Sequence, residues 1–185
     1  MVAYTVPGLK PGDADKVNVL LQDRLNALND LALTLKHVHW NVTGPHFIAV
    51  HTMLDPQVDA VREMVDDTAE RIAALGGSPV GTPGALVKER SWDDYSIGRA
   101  DAIAPLGALD VVYTGVIEAH RAAIDRTEET DLVTQDLLIG QTRQLEEYQW
   151  FVRAHLESAD GTLSTAGAAK ERTAAGRATR KAKAR

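Results

Sequence analysis

Apolar residues recur at steps of three and four along most of this chain, the period of an α-helix with one buried face. Val17, Leu20, Leu21, Leu25, Leu28, Leu31, Leu35, Val38 and Val42 outline a first helix. Asp13 or Asp15 is placed to cap its start, and Gly44-Pro45 to stop it. A second stripe runs through Val50, Leu54, Val58, Val61, Val65, Ala69, Ile72 and Leu75 to Gly76-Gly77. Pro56 removes one of its backbone hydrogen bonds, so a local kink is expected, but the stripe continues in phase beyond it. A third helix reads through Ile103, Leu106, Leu109, Tyr113, Val116, Ile117 and Ile124. Pro105 belongs in a first turn, which sets its start near Asp101 or Ala102. Asp131 caps a fourth, carrying Leu132, Leu137, Leu138, Leu145, Tyr148, Phe151, Val152 and Leu156. No segment alternates with period two, so no strand is expected.

The connections set the topology. The short link between the first two helices makes them antiparallel neighbours. Residues 77–100 lose the rhythm, although Thr82-Pro83 can start a short helix through Arg90. Four long helices with one crossover between the second and third predict an all-α, ferritin-like four-helix bundle, with a short extra helix in that connection. The expected divisions are an N-terminal extension at 1–12, the bundle at 13–160 and a tail at 161–185. The tail is low-complexity Ala, Gly, Thr, Lys and Arg with Leu163 as its one large apolar residue, and is expected to be disordered.

Composition narrows the chemistry. At 185 residues the chain has room for one domain with a proper core. Cysteine is absent, which removes disulfides, thiolate nucleophiles and zinc-thiolate sites and fits a reducing compartment. The opening MVAYTVPGLKPGD lacks a basic flank before an apolar core, so no signal peptide is expected. No apolar run nears the ~18 residues of a membrane span. A soluble, cytoplasmic protein without a membrane partner is predicted. Its charge is uneven. From Gly161 onward seven basic residues (Lys170, Arg172, Arg177, Arg180, Lys181, Lys183 and Arg185) stand against one acid, Glu171, a net of +6. The overall −6 then leaves −12 on residues 1–160.

The second helix carries the candidate site. His51/Asp55 and Asp66/Glu70 are each spaced i, i+4, and each pair projects from one face. At about 100° per residue the four positions fall near 0°, 40°, 60° and 100°, a single strip beside the apolar stripe. Yet the pairs are fifteen residues apart, roughly 22 Å of helical rise, which no single ion spans. Two such helices packed antiparallel about a two-fold axis would bring the first pair of each to the second pair of the other. Asp59 shares the strip but lies between the pairs. His39, at the end of the first helix, offers a further imidazole; His37 points about 200° away from it. Imidazole with carboxylate suits Fe(II), Mn(II) or Zn(II). A di-iron centre inside the bundle is not expected, because none of the six histidines has a glutamate three residues before it. The plain alternative is a solvated helix face.

The run Lys36-x-x-His39-Trp40-Asn41-x-x-Gly44-x-x-Phe47-x-x-x-His51-x-x-x-Asp55, followed by Asp66-x-x-Ala69-Glu70-Arg71-x-x-x-Leu75-Gly76, closely resembles the Dps mini-ferritins, DNA-binding proteins from starved cells. The resemblance covers about residues 10–158. It implies a homo-dodecamer built from two-fold dimers that oxidises Fe(II), preferably with hydrogen peroxide, and stores ferric iron inside. His39, His51 and Asp55 would come from one subunit, and Asp66 and Glu70 from its mate. Every ligand position is filled. Trp40 matches a family tryptophan beside the site, where it would take up stray oxidising equivalents; a helix-packing aromatic is the alternative.

Two further expectations concern charge. Glu128, Glu129, Asp131 and Asp136, at the junction of the third and fourth helices, are candidates for a threefold pore admitting iron; a capped helix start with exposed acids is the alternative. The −12 body repels DNA, so binding must come from the tail, without sequence preference and falling steeply with salt. A nucleoid-associated ferroxidase is predicted. The second reading is a nucleoid-binding structural protein with a vestigial metal site.

Overall fold

A computed structural model describes residues 2–183. Four long helices form a four-helix bundle, as the periodicity predicts: α1 (Pro11–Asn41), α2 (Phe47–Ala74), α4 (Ile103–Thr127) and α5 (Leu132–Ala154). The long connection carries the short α3 (Pro83–Glu89). Thr82 stands at its N-cap without a side-chain cap bond, and Pro83 occupies its first turn. α2 is continuous through Pro56. Among the described residues, no helix is long and apolar enough to cross a membrane.

The contacts divide into two compact units. The first comprises 1–32, 59–92 and 118–143. Its core is Ala14, Val17, Leu21, Leu25, Ile72, Leu75 and Leu138, with Val6 and Leu9 of the N-terminal segment packed against it. Arg71 crosses to Asp131 at 2.7 Å and Thr134 at 3.0 Å, tying α2 to the start of α5.

The second unit comprises 33–58, 93–117 and 144–185. Leu35, Val38, Leu54, Leu106, Leu109, Tyr113 and Leu145 are buried in it. Here the structure departs from the expectation of no strand: β1 (Val42–Thr43) pairs in parallel with β2 (Ala100–Asp101). Two residues are too few to show alternation. Gly44 closes the α1–α2 turn at φ +91°, a left-handed conformation that favours glycine, and a Cβ there would also run into the Asp101 carboxylate.

The expected disorder of the tail is corrected for residues 171–183, which form α6 (Glu171–Lys183). Ala174, Ala175 and Ala178 are buried. Gly107 of α4 lets α6 approach closely: a Cβ there would meet Ala174 O at 3.0 Å and Ala178 Cβ at 3.0 Å. Glu171 accepts hydrogen bonds from the Ser96 amide and hydroxyl, both 2.7 Å. Upstream, Thr165 donates to the buried Asp110 carboxylate at 2.6 Å. Alanine methyls and a few polar side-chain bonds, rather than large apolar side chains, hold this segment.

Candidate metal centre

His39 sits in the last turn of α1 and His51 in the first turns of α2, joined by the glycine turn. That turn folds the chain back so that the two rings stack, centroids 3.6 Å apart and planes 23° apart. Each ring is fixed by the other's main chain. His39 Nδ1 donates to the His51 carbonyl at 2.9 Å, and His51 Nδ1 donates to the His39 carbonyl at 2.9 Å. A carbonyl only accepts, so both protons sit on Nδ1 and both Nε2 lone pairs are available to a cation. Phe47 packs on His51, centroids 4.9 Å apart.

Asp55 is one turn beyond His51. Its Oδ1 lies 3.2 Å from His39 Nδ1 and accepts from Lys36 Nζ at 2.8 Å. That hydrogen bond holds the Asp55 carboxyl below its ordinary value, with the His39 and His51 rings acting in the same direction against desolvation. Lys36 lies within the motif that resembles the Dps mini-ferritins, and its role here is not apparent from sequence. The only signal was its i, i+3 spacing from His39 on one helix face.

His39, His51 and Asp55 are therefore brought together. Asp66 and Glu70 are exposed on the same helix. Asp66 lies eleven residues past Asp55, about 16 Å of rise. Among the described residues no three His, Asp or Glu side chains converge to hold a metal within one chain. His37 is turned to the Ile97 carbonyl at 3.1 Å and the edge of Tyr95. Trp40 follows His39 but is 71% exposed. Asp59 is exposed.

Of the pore candidates, Glu128, Glu129 and Asp136 are exposed, whereas Asp131 is buried. Burial pushes its carboxyl up, but hydrogen bonds from Thr134 and Arg71, Arg71's charge and the Val133 amide together leave it below the ordinary value. Asp131 caps α5 and pairs with Arg71, so its carboxylate is committed within the subunit. In the tail, Arg172, Arg180 and Lys183 of α6 and the preceding Lys170 are exposed. Arg177 donates to the Ala166 carbonyl at 2.6 Å and Lys181 to the Thr162 carbonyl at 3.3 Å. Arg185 lies outside the described residues.

Comparison with known proteins bears on the family and the fold. A ferritin-like domain model matches residues 18–161. The DNA protection during starvation protein of Mycolicibacterium smegmatis is 58% identical over 181 residues, 98% of this chain and 99% of that one. Among solved structures, DpsA14 from Streptomyces coelicolor matches with a TM-score of 0.88 at 70% identity, covering 89% of this chain and 98% of that chain. Mycobacterium smegmatis Dps matches with a TM-score of 0.88 at 59% identity, covering 90% and 95%. With the bundle, the crossover and the histidine-carboxylate strip on the same chain, the protein belongs to the ferritin-like family and, within it, to the Dps mini-ferritins.

Proposed function

We propose that the protein is a ferroxidase that detoxifies and stores iron, using sites shared between subunits of a homo-dodecamer built from two-fold dimers. The carrying observation is the pair of stacked imidazoles whose Nδ1 protons are committed to carbonyls, with the Asp55 carboxylate 3.2 Å from His39 Nδ1. One chain supplies two nitrogens and one carboxylate. Asp66 of the partner subunit and Glu70 of the partner subunit complete the set. Iron is substrate and cargo: Fe2+ enters and Fe3+ mineral stays. Two Fe(II) ions each lose one electron, and hydrogen peroxide takes both, so its O–O bond breaks to the level of two waters. Pairing two one-electron donors with a two-electron oxidant avoids releasing hydroxyl radical. Carboxylate ligands suit ferric product and leave coordination positions open. Trp40, next to His39, would absorb oxidising equivalents that escape.

Replacing Asp66 and Glu70 by alanine is expected to abolish rapid peroxide-driven iron oxidation, followed as ferric absorbance, while the helical signal is kept. Unchanged rates would remove the site from these residues.

The name of the Mycolicibacterium relative supports DNA protection in starvation as the wider role. Binding to DNA, in the cytoplasm and beside the nucleoid, is assigned to the tail. Arg172, Arg180 and Lys183 on α6 keep exposed positive charge for phosphates, and many copies on one shell would add avidity. Glu128, Glu129 and Asp136 remain the candidates for the iron-admitting pore. The structural-protein reading, with a vestigial metal site, separates by iron uptake: the purified protein should take up and mineralise iron.

A further inference from the structure

A cavity of about 270 Å³ opens among the end of α5, the turn before α2, the start of α4 and α6. Its polar lining is His46, His155, Ser164 and Lys181. Ile103 and Leu156 form apolar walls. No acidic residue is among the described residues that line it. Asp160 lies within electrostatic reach of Lys181 but is turned to the Ser158 hydroxyl and the Thr162 amide, at 2.7 and 3.0 Å.

Three features of the lining are incomplete as they stand. The Ser164 hydroxyl is buried without a hydrogen-bond partner, a loss that native interiors rarely tolerate. Neither the His46 nor the His155 imidazole has a side-chain hydrogen bond among the described residues. Lys181 donates to one carbonyl, at 3.3 Å, and an ammonium has three protons to give. All four groups can donate, three of them carry or can take up positive charge, and no carboxylate stands among the described lining residues to accept from them.

We propose that this cavity binds a phosphate oxyanion, held by Lys181, His46, His155 and the Ser164 hydroxyl, and that the bound anion fastens α6 to α5 and the 44–46 turn. The space suffices: at about 30 Å³ per water it has room for roughly nine, more than a tetrahedral anion of five heavy atoms needs. The fixed charge is the Lys181 ammonium, and the two imidazoles add donors. Burial, and then the nearby His46, hold the His155 imidazole below its ordinary value. An anion between the two rings converts that opposition into attraction. Charge-assisted bonds from an ammonium and imidazoliums to phosphate oxygens are among the stronger hydrogen bonds available. The ligand is read from its chemistry. Free inorganic phosphate and a phosphodiester of the DNA backbone offer the same oxygens.

The test titrates inorganic phosphate into the full-length assembly by calorimetry at constant ionic strength, with a short DNA duplex in a parallel arm. Saturable phosphate binding is expected. It should weaken about tenfold in His155→Gln and in His46→Gln, the effect of losing one charge-assisted hydrogen bond. His46 lies on an exposed turn, so its replacement leaves the core untouched and reports binding directly. If DNA affinity drops in the same variants, the site takes backbone phosphate; if DNA affinity holds, it takes the free ion. Amide exchange across residues 171–183 should also slow when phosphate is added. Absence of saturable binding, equal phosphate affinity in wild type and both variants, or exchange indifferent to phosphate would overturn the assignment.

Discussion

Replacing Gly107 by valine should release α6 while leaving the four long helices intact. A Cβ at position 107 would stand 3.0 Å from both Ala174 O and Ala178 Cβ, inside the 3.4 Å at which ordinary contact begins. Valine adds two methyl groups beyond that Cβ. Overpacking of this kind costs about 1–3 kcal/mol. The apolar part of what it opposes is small: burial of the Ala174, Ala175 and Ala178 methyls stabilises the docked helix by about 0.8 kcal/mol each, roughly 2.4 kcal/mol beside the hydrogen bonds of Glu171, Arg177 and Lys181. At 1.4 kcal/mol per factor of ten, the undocked population should rise by about 5- to 150-fold. Valine is a slightly better helix former than glycine, so α4 itself is not weakened by propensity. Hydrogen exchange of the α6 amides reads the change, and tryptic cleavage after Arg177 and Arg180 reads it independently. Exchange in α6 equal to wild type would refute the idea that close approach at Gly107 holds this helix.

Other outcomes follow from the same geometry. Arg71→Met leaves the buried Asp131 carboxylate without its cation and should lower unfolding free energy in urea by about 3 kcal/mol; a loss under 1 kcal/mol would deny the pair that role. Since the folded Asp131 lies below its ordinary value of 3.8, its contribution is present above about pH 4 and fades as pH falls through the folded value; Arg71→Met should flatten that acid loss. Lys36→Met frees Asp55 and, on the proposed site, should raise the half-saturating Fe(II) concentration about 10- to 100-fold; an unchanged value would show that Lys36 does not position it. Deleting residues 162–185 should remove the mobility shift with DNA at low salt, and binding at full strength would refute the tail's role.

The long helices were legible because their cores are built from Leu, Val and Ile at positions such as Leu21, Leu25, Leu28 and Leu54, Val58, Val61. The strip of ligand candidates was legible because i, i+4 spacing is a one-dimensional signal. What escaped was settled by groups that carry no side-chain identity. Main-chain carbonyls hold the rings of His39 and His51, and any residue supplies a carbonyl. The β1–β2 pairing is two residues long, helped by the Ala102 amide donating to the Thr43 carbonyl at 3.1 Å. The apolar part of α6 docking is alanine methyls against a glycine, and a rule that counts large apolar residues cannot see it. The Lys36–Asp55 pair joins two helices across the glycine turn, so only the folded geometry reveals it.

The mutual clasp of His39 and His51 bears on how quickly a cation could be captured. Rings hitched to fixed carbonyls need no search through rotamers when an ion arrives, so ordering entropy is spent during folding instead of at loading. A site prepared in this way should coordinate on encounter, with occupancy limited by delivery of the ion.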